Sequence, residues 1–171
     1  MRRFNINDIS KDYIAKEITK DNALDAFNIM KANPLYFDNL REEASINHVY
    51  HDIEALPPNK EYKDKYYFGL YKNNDMIAII DLIDGFPNKE TAFLGFFMIN
   101  KNYQLKGIGS SIIGDLASYL KCMGINYIRL GYVKTNNQSK AFWYKNDFKP
   151  TGVESRNDNY TVVILERKIN D

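Results

Sequence analysis

The sequence predicts an α/β fold that forms a single domain over residues 1–171, with a mixed central sheet of about seven strands and four helices. Two observations predict this class. Apolar strands alternate with amphipathic helices in the second half of the chain, and strand pairs joined by turn residues flank that unit. In addition, 44% of the 171 residues are hydrophobic, which is enough for one sizeable core.

The first half of the chain predicts one strand, two helices and a hairpin. Residues 13–19 alternate between apolar and polar side chains, as a strand does. Apolar residues then recur at helical spacing in two stretches, the first ended by Pro34 and the second by Pro57. Residues 66–71 and 76–82 are predicted to pair as a hairpin around an Asn-Asn-Asp turn.

The second half predicts strand, helix, strand, helix and a closing hairpin. Residues 91–99 and 125–133 are apolar runs rich in aromatic and β-branched side chains. The helix between them, over residues 110–123, has one apolar face, formed by Ile112, Ile113, Leu116, Ala117 and Leu120. Residues 148–153 and 160–166 form the closing hairpin. This order of strands and helices is typical of a mixed-sheet α/β fold.

A glycine-containing turn, residues 104–110 (QLKGIGS), connects the strand at 91–99 to the helix that follows. Glycine lets backbone N–H groups approach a ligand closely, and a helix N-terminus adds partial positive charge. The turn therefore predicts a site for an anion such as a pyrophosphate. The glycines at 107, 109 and 114 have the wrong spacing for the dinucleotide fingerprint, and Asp115 stands where a Walker loop has lysine.

A second motif, residues 136–148 (NNQSKAFWYKNDF), directly follows the strand at 125–133. Together with the Gln-x-x-Gly-x-Gly turn, it resembles the GNAT acetyltransferase superfamily, which has at this place a loop Asn, an aromatic pair and a closing Gly-Phe. Counted back from Phe148, Asn136 matches the loop Asn, and the Phe-Trp pair at 142–143 matches the aromatic pair. Asp147 replaces the usual Gly. The resemblance extends over the whole chain, because the order of elements is also that of the family.

This resemblance implies that acetyl-CoA is the co-substrate and binds where the two apolar strands diverge. By position in the family, Met98 and Ile99 would pair with the pantetheine arm, and a backbone N–H near Met98 would stabilise the oxyanion. The turn backbone would hold the pyrophosphate, and Asn136 would bond the arm or cap the following helix. The implied cofactor-binding residues are Met98, Ile99, Gln104, Leu105, Lys106, Gly107, Ile108, Gly109, Ser110, Asn136, Ser139 and Trp143.

The catalytic positions depart from the family. Trp143 stands where a Tyr acid is often found, and an indole N–H is too weak an acid for proton transfer. Its neighbour Tyr144 is the candidate acid, although packing explains it equally well. The candidate bases are Asp81 and Glu90, which would act through a water chain; a solvated turn or a cap is the alternative for each. Two further aromatic residues between the first two helices are candidates for substrate binding or for the core: Tyr36 and Phe37.

Composition and charge argue against several other classes. Lys and Arg number 23 against 22 Asp and Glu, so the net charge of +1 indicates neither a nucleic-acid partner nor a membrane partner. No apolar run reaches the roughly 18 residues that a membrane span requires. His48 and His51 have no evident third ligand, so no metal is predicted. A single cysteine fits a reducing compartment, which predicts a cytoplasmic protein.

These observations predict a cytoplasmic, acetyl-CoA-dependent N-acetyltransferase that moves the acetyl group directly to a primary amine of a small molecule or peptide. Cys122 lies near a helix C-terminus, where the negative end of the helix dipole argues against an acyl-cysteine intermediate. The alternative is a catalytically weak acyl-CoA-binding or regulatory module of the same fold. The missing Tyr at 143 and the lack of a carboxylate in the strand at 91–99 keep this alternative open. A homodimer is also possible from the sequence.

Overall fold

The computed structural model describes residues 2–171, which form one seven-stranded sheet and five α-helices. The helices are α1 (Ala23–Lys31), α2 (Pro34–Leu40), α3 (Ile46–Glu54), α4 (Ile108–Cys122) and α5 (Asn137–Lys145). The strands are β1 (Ile14–Glu17), β2 (Lys65–Lys72), β3 (Asp75–Asp84), β4 (Thr91–Ile99), β5 (Tyr127–Val133), β6 (Lys149–Arg156) and β7 (Thr161–Lys168). Within residues 2–171, no helix is both long and apolar enough to cross a membrane.

The sheet has the strand order β1-β2-β3-β4-β5-β7-β6. Neighbouring strands are antiparallel except for β4 and β5, which are parallel because α4 crosses over between them. The predicted α/β fold with a mixed sheet of seven strands is therefore confirmed.

The structure contains one helix more than the four that the sequence predicts, because the segment after Asn33 forms α2. Pro34 was expected only to end a helix, and α1 does end just before it, at Lys31. Pro34 is also the first residue of α2, a position where the missing proline N–H costs nothing. Arg41 closes α2 in the left-handed conformation, with its N–H donating to the Asp38 carbonyl at 3.0 Å.

Both faces of the sheet are buried. On one face α4 packs its predicted apolar stripe against the sheet, and Trp143 and Phe148 extend that core. On the other face α1, α2 and α3 cover the sheet, and Phe37 and Val49 lie in the core that they form. As a result the central strand β3 is almost continuously apolar and buried, and Asp81 is the polar exception in its middle.

Candidate active site

The parallel strands β4 and β5 pair over only part of their length. Thr91–Leu94 pair with Tyr127–Leu130, and beyond this point the two strands separate. A bulge in β4 lies at the point of separation, because Leu94 pairs with Leu82 on β3 while Phe96 pairs with Asp81, which leaves Gly95 without a partner. Bulges bend a strand and release part of its hydrogen-bonding edge.

A cavity of about 760 Å³ fills the gap between the separated strands. Its walls are the second half of β4, the end of β5, the start of α2, the turn before α4 and the inner side of α5. The cavity thus lies where backbone groups of β4 have no strand neighbour, next to the N-terminus of a 15-residue helix.

The turn before α4 presents backbone N–H groups to this cavity. Gly107 has φ +77°, a left-handed conformation that glycine adopts without strain, and Gly107 is also the N-cap of the helix. The first bond of the helix runs from the Ser111 N–H to the Gly107 carbonyl. The N–H groups of Ile108, Gly109 and Ser110 therefore have no partner within the helix, which makes this end of α4 a site for an anion.

Gly109 is required for a different reason from Gly107, namely close packing. A Cβ built at this position would lie 3.1 Å from the Phe142 ring and 3.4 Å from Ile99. The first turn of α4 is consequently pressed against α5 and against the end of β4. This contact sets the width of the cavity next to the glycine turn.

The other residues of the turn divide between structural and exposed roles. Gln104 donates from Nε2 to the Asn33 side-chain oxygen at 2.6 Å and to the Ile99 carbonyl at 2.9 Å, which ties the turn to the end of α1 and to β4. Lys106 folds back, and its Nζ donates to the Asn102 carbonyl at 3.1 Å. Leu105 is fully exposed and has φ +61°, an unfavourable conformation for leucine.

The motif at residues 136–148 forms the opposite wall. Asn136 is buried, and its side-chain oxygen accepts a hydrogen bond from the Ser139 N–H at 3.0 Å. It therefore caps α5, which is one of the two roles predicted for it. Trp143 lines the cavity and packs edge-on against Phe142 and Phe148, at centroid distances of 4.8 and 5.2 Å. The indole thus contributes both to the cavity wall and to the core.

The structure brings most of the predicted site residues to this cavity. The residues that line it are Tyr36, Met98, Ile99, Gln104, Leu105, Gly107, Gly109, Ser110, Asn136, Ser139 and Trp143. The side chains that do not line it are those of Phe37, Asp81, Glu90, Lys106, Ile108 and Tyr144. Phe37 is a residue of α2 whose side chain is buried in the core. A core role was one of the two roles predicted for it, the other being substrate binding.

The three candidate catalytic residues lie outside the cavity wall. Glu90 is exposed before the start of β4, at the end of the strand where β4 and β5 still pair. Asp81 is buried behind Gly95, and the Lys65 Nζ donates to both of its oxygens, at 2.7 and 2.8 Å. Tyr144 is 41% exposed, and the Lys140 Nζ lies 5.4 Å from the centre of its ring. Each would need an intervening group to reach a substrate in the cavity.

Several polar residues near the cavity were not predicted from the sequence. Lys101, Lys145 and Tyr160 line the cavity. Asp52 of α3 does not line the cavity, and its pKa is raised to about 6, mainly by burial and then by the charge of Asp81. A carboxylate on the polar side of an amphipathic helix has no distinguishing sequence signal, which explains why it was missed.

His48 has a structural role at the start of α3. The Ser45 backbone N–H donates to His48 Nδ1 at 3.0 Å, so the ring proton lies on Nε2, which donates to Glu42 at 2.8 Å. His48 therefore completes the cap of α3. Among residues 2–171 there is no cluster of three side chains suited to a metal ion.

The sequence matches the model of the acetyltransferase (GNAT) family over residues 33–148, which is more than half of the chain. The chain belongs to the GNAT acetyltransferase family. The matched segment runs from the start of α2 to the end of α5, so it contains both strands that separate, the glycine turn and the aromatic wall. No curated protein sequence matches the chain.

Solved structures of other acetyltransferases share this GNAT fold at low sequence identity. An acetyltransferase from Thermus thermophilus has a TM-score of 0.73 and 19% identity, covering 98% of this chain and 99% of its own. A Salmonella typhimurium acetyl transferase that modifies the N-terminal serine of a 50S ribosomal subunit protein has a TM-score of 0.70 and 17% identity, covering 95% and 98%. The PaiA N-acetyltransferase of Thermoplasma acidophilum, solved with coenzyme A, has a TM-score of 0.61 and 19% identity, covering 91% and 98%.

Proposed function

We propose that residues 1–171 act as one catalytic domain that transfers the acetyl group of acetyl-CoA directly to a primary amine. The observation that carries this proposal is the separation of β4 from β5 beside the amide-lined start of α4. This arrangement offers backbone partners for the amides of a pantetheine arm and N–H donors for a pyrophosphate in one continuous cavity.

Different residues along the cavity would bind different parts of acetyl-CoA. The free N–H groups of Ile108, Gly109 and Ser110 would bind the pyrophosphate, with the ammonium groups of Lys101 and Lys145 adding positive charge nearby. Past the bulge, the backbone of β4 would pair with the pantetheine arm and hold the thioester against a backbone N–H near Met98. That N–H would stabilise the oxyanion that forms when the amine attacks.

The wall of α5 would exclude water from the thioester. Trp143, Phe142 and Phe97 form a continuous aromatic surface, with centroid distances below 6 Å between each pair. An apolar wall strengthens the electrostatic interaction of the oxyanion with its donor. The leaving thiolate belongs to a thiol with an ordinary pKa of about 8.5, so it can depart without a protein acid.

Members of the same fold support an amine as the acceptor. The Salmonella typhimurium relative modifies an N-terminal serine, and an Escherichia coli neighbour is a ribosomal-protein-alanine N-acetyltransferase with a TM-score of 0.67 and 16% identity. Both chemistries transfer an acetyl group to a primary amine.

The proposal is tested by acetyl-CoA binding and by release of the CoA thiol. Calorimetry should show that acetyl-CoA binds, and thiol release should depend on an added amine drawn from spermidine, lysine and alanine- or serine-terminated peptides. Intact mass after incubation with acetyl-CoA alone should stay unchanged, and Cys122→Ala should retain full turnover. A mass gain of one acetyl group on the exposed Cys122 would instead establish an acyl-enzyme.

A second candidate function is a catalytically weak module that binds acyl-CoA. It is favoured by one observation, which is that none of Asp81, Glu90 and Tyr144 lines the cavity. In that case acetyl-CoA should bind, but thiol release should stay at the rate of spontaneous hydrolysis with every amine.

A further inference from the structure

The cavity crosses the sheet through the gap between β4 and β5. Phe97 and Trp143 line it from the face that α4 covers, whereas Tyr36, Leu40 and Phe96 line it from the face that α1, α2 and α3 cover. Successive residues of β4 point to opposite faces, so Phe96 and Phe97 reach the two halves of the cavity. The glycine turn packs on the α4 side. An acceptor would therefore approach a thioester in the gap from the other side.

The half of the cavity away from the glycine turn has an apolar wall. Phe96 packs edge-on against Tyr36 at a centroid distance of 5.4 Å, and Leu35 lines the cavity although it is 48% exposed. Val162 extends this surface from β7, since its neighbour Val163 points into the core on the opposite face. We call this surface the acceptor wall, and it consists of Leu35, Tyr36, Leu40, Phe96, Tyr160 and Val162.

The acceptor wall carries no charge. Within residues 2–171, the charged residues that line the cavity are Lys101 and Lys145, and no Asp or Glu lines it. Both lysines belong to the side of the glycine turn, because Lys101 precedes the turn and Asn146, the neighbour of Lys145, donates to the Ser110 hydroxyl at 3.1 Å. An unpaired ammonium ion among apolar groups is strongly disfavoured. The cavity therefore disfavours an acceptor that carries further positive charges beside its reacting amine.

The carboxylate next to the acceptor wall is already neutralised. Asp81 lies behind Gly95, where an added Cβ would be 3.0 Å from its carboxylate. Both Asp81 oxygens accept from the Lys65 Nζ, at 2.7 and 2.8 Å, and the same ammonium lies 5.5 Å from the centre of the Tyr67 ring. Lys65 thus occupies the position that a second ammonium group of an acceptor would need.

A second pocket, of about 220 Å³, adjoins the acceptor wall at Tyr160, which lines both spaces. The Thr135 hydroxyl donates to the Asn39 side-chain oxygen at 2.7 Å, which joins α2 to the turn after β5. None of the ion pairs formed within residues 2–171 includes the charged side chains of this pocket. The pocket is lined by Asp38, Asn39, Arg41, Thr135, Asn159 and Tyr160.

The second pocket differs from the acceptor wall in being polar but without net charge. Asp38 and Arg41 contribute one charge of each sign, and Asn39 and Asn159 contribute amides. Such a lining suits a neutral chain that carries both hydrogen-bond donors and acceptors, as a peptide backbone does. An apolar compartment that leads into a neutral polar one matches one side chain and the peptide groups that follow it.

We infer that the acceptor is the N-terminus of a peptide whose first side chain is apolar, with this side chain on the acceptor wall and the next peptide groups in the second pocket. This inference rests on the proposed function. The α-amine of the peptide attacks the thioester carbon, so a C–N bond forms and the C–S bond breaks. Of the two protons that the α-ammonium group loses, one ends on the CoA thiol and the other goes to solvent.

The test compares acceptors that differ in one feature at a time. Met-Gly-Gly amide and Arg-Gly-Gly amide have first side chains of similar length, and each carries a single primary amine. Methioninamide lacks the following peptide groups, and spermidine is a polycation. Release of the CoA thiol gives kcat and KM for each acceptor, and mass spectrometry locates the acetyl group.

With the native protein, kcat/KM for Met-Gly-Gly amide should exceed that for Arg-Gly-Gly amide and for spermidine by about 10-fold or more. The peptide should also exceed methioninamide by about 5-fold, mainly through a lower KM, because the second pocket binds its peptide groups.

Leu35→Glu places a carboxylate on the acceptor wall, and Leu24→Glu is its matched control. Each leucine is the second residue of its helix and is about half exposed, but Leu24 does not line the cavity. Leu35→Glu should lower kcat/KM for Met-Gly-Gly amide and raise it for Arg-Gly-Gly amide, each by about 5-fold. Leu24→Glu should match the native protein, and thermal unfolding shows whether both variants are folded.

Asn159→Ala and Asp158→Ala make the same comparison for the second pocket. Both side chains are exposed, but only Asn159 lines the pocket. Asn159→Ala should reduce the advantage of Met-Gly-Gly amide over methioninamide, and Asp158→Ala should keep it.

A native protein that acetylates Arg-Gly-Gly amide or spermidine as well as Met-Gly-Gly amide would overturn the inference while the proposed function stands, whether or not the variants fold. An unchanged preference in folded Leu35→Glu would also overturn it, as would equal kcat/KM values for methioninamide and the peptide. If the native protein binds acetyl-CoA but acetylates none of the amines, the proposed function fails, and the peptide acceptor fails with it.

Discussion

The two ends of the cavity differ in the chemical groups that surround them: backbone groups at one end and side chains at the other. The end next to the glycine turn, which we propose as the cofactor end, consists of backbone, namely the N–H groups at the start of α4 and the free edge of β4, and it is shaped by Gly107 and Gly109. The other end, which we propose as the acceptor end, is lined by Tyr36, and behind it lie side chains of β2 and β3 joined by the Lys65–Asp81 ion pair. The end next to the glycine turn has the fixed dipoles of backbone N–H groups, whereas the other end lies near ionisable side chains whose charge depends on pH.

This difference bears on how each end can change. Backbone donors are independent of pH and of most side-chain substitutions, so the cofactor end should tolerate changes except where a side chain blocks it. The acceptor end depends on buried charges, whose energies are large and closely balanced. Substitutions there should therefore change stability and catalysis separately, and sometimes in opposite directions.

The largest effect is expected at the cofactor end from Gly109→Asp. The new carboxylate would enter the space where the pyrophosphate is proposed to bind and repel it, so acetyl-CoA affinity should fall by about 1,000-fold or more, equivalent to about 4 kcal/mol. Calorimetry measures this loss directly.

Gly114→Asp is the matched control for Gly109→Asp, since it adds the same charge to the same helix at a position with open space around it. It should leave acetyl-CoA binding unchanged. Circular dichroism must show that Gly109→Asp is folded, because its Cβ also presses on Phe142. A folded Gly109→Asp variant with native affinity would remove the turn from the cofactor site.

The next largest effect is expected at the acceptor end from Lys65→Met. This change leaves Asp81 buried without its cation and should lower the free energy of unfolding by about 3 kcal/mol near neutral pH. Burial already raises the pKa of Asp81, and loss of the lysine should raise it further, so the penalty should shrink as the pH falls and the carboxyl takes up a proton. Urea unfolding at two pH values measures both effects.

Lys63→Met provides the comparison for Lys65→Met, because Lys63 pairs with Glu61 at the exposed surface. It should leave the free energy of unfolding close to that of the native protein. An equal loss in both variants would mean that the buried ion pair has no special role in the acceptor end.

A smaller effect of opposite sign is expected from Asp52→Asn. Folding raises the pKa of Asp52 from 3.8 to about 6, so the folded state disfavours the carboxylate and the native protein loses stability as pH rises through this interval. The neutral Asn variant avoids this loss. Near pH 7 it should be more stable by about 1–2 kcal/mol, and near pH 4 the two proteins should be about equally stable.

Chemical denaturation at both pH values gives this difference. A variant that is less stable than the native protein at both would show that Asp52 has a stabilising partner.

The smallest effect is expected from Tyr144→Phe. The Tyr144 side chain is 41% exposed and lies outside the cavity wall, so removal of its hydroxyl should cost under about 1 kcal/mol of transition-state stabilisation. Steady-state kinetics with the best amine measure this cost. A fall of about 100-fold or more in kcat would identify Tyr144 as the general acid and would shift the correspondence with the family by one residue.

The sequence alone determined the fold class and the glycine turn that we propose as the cofactor end. Glycine at 107 and 109 between an apolar strand and an amphipathic helix encodes a turn with free N–H groups, because the conformational freedom of glycine and the helix start are local properties. The block from Asn136 to Phe148 likewise encodes a capped helix and its aromatic wall within thirteen consecutive positions. Only α2 was missed here, because proline can end one helix and start the next.

The tertiary structure alone decided the polar side chains around Asp81, which we propose to lie near the acceptor end. Asp52, Lys65, Tyr67 and Asp81 are ordinary residues in sequence, and nothing local distinguishes Asp52 from the exposed Glu54 two positions later. Asp81 was singled out as a base, and only the structure shows that Lys65 engages it. Burial and the distance between charges set the pKa of a carboxylate, and both arise only when β2, β3 and α3 pack together.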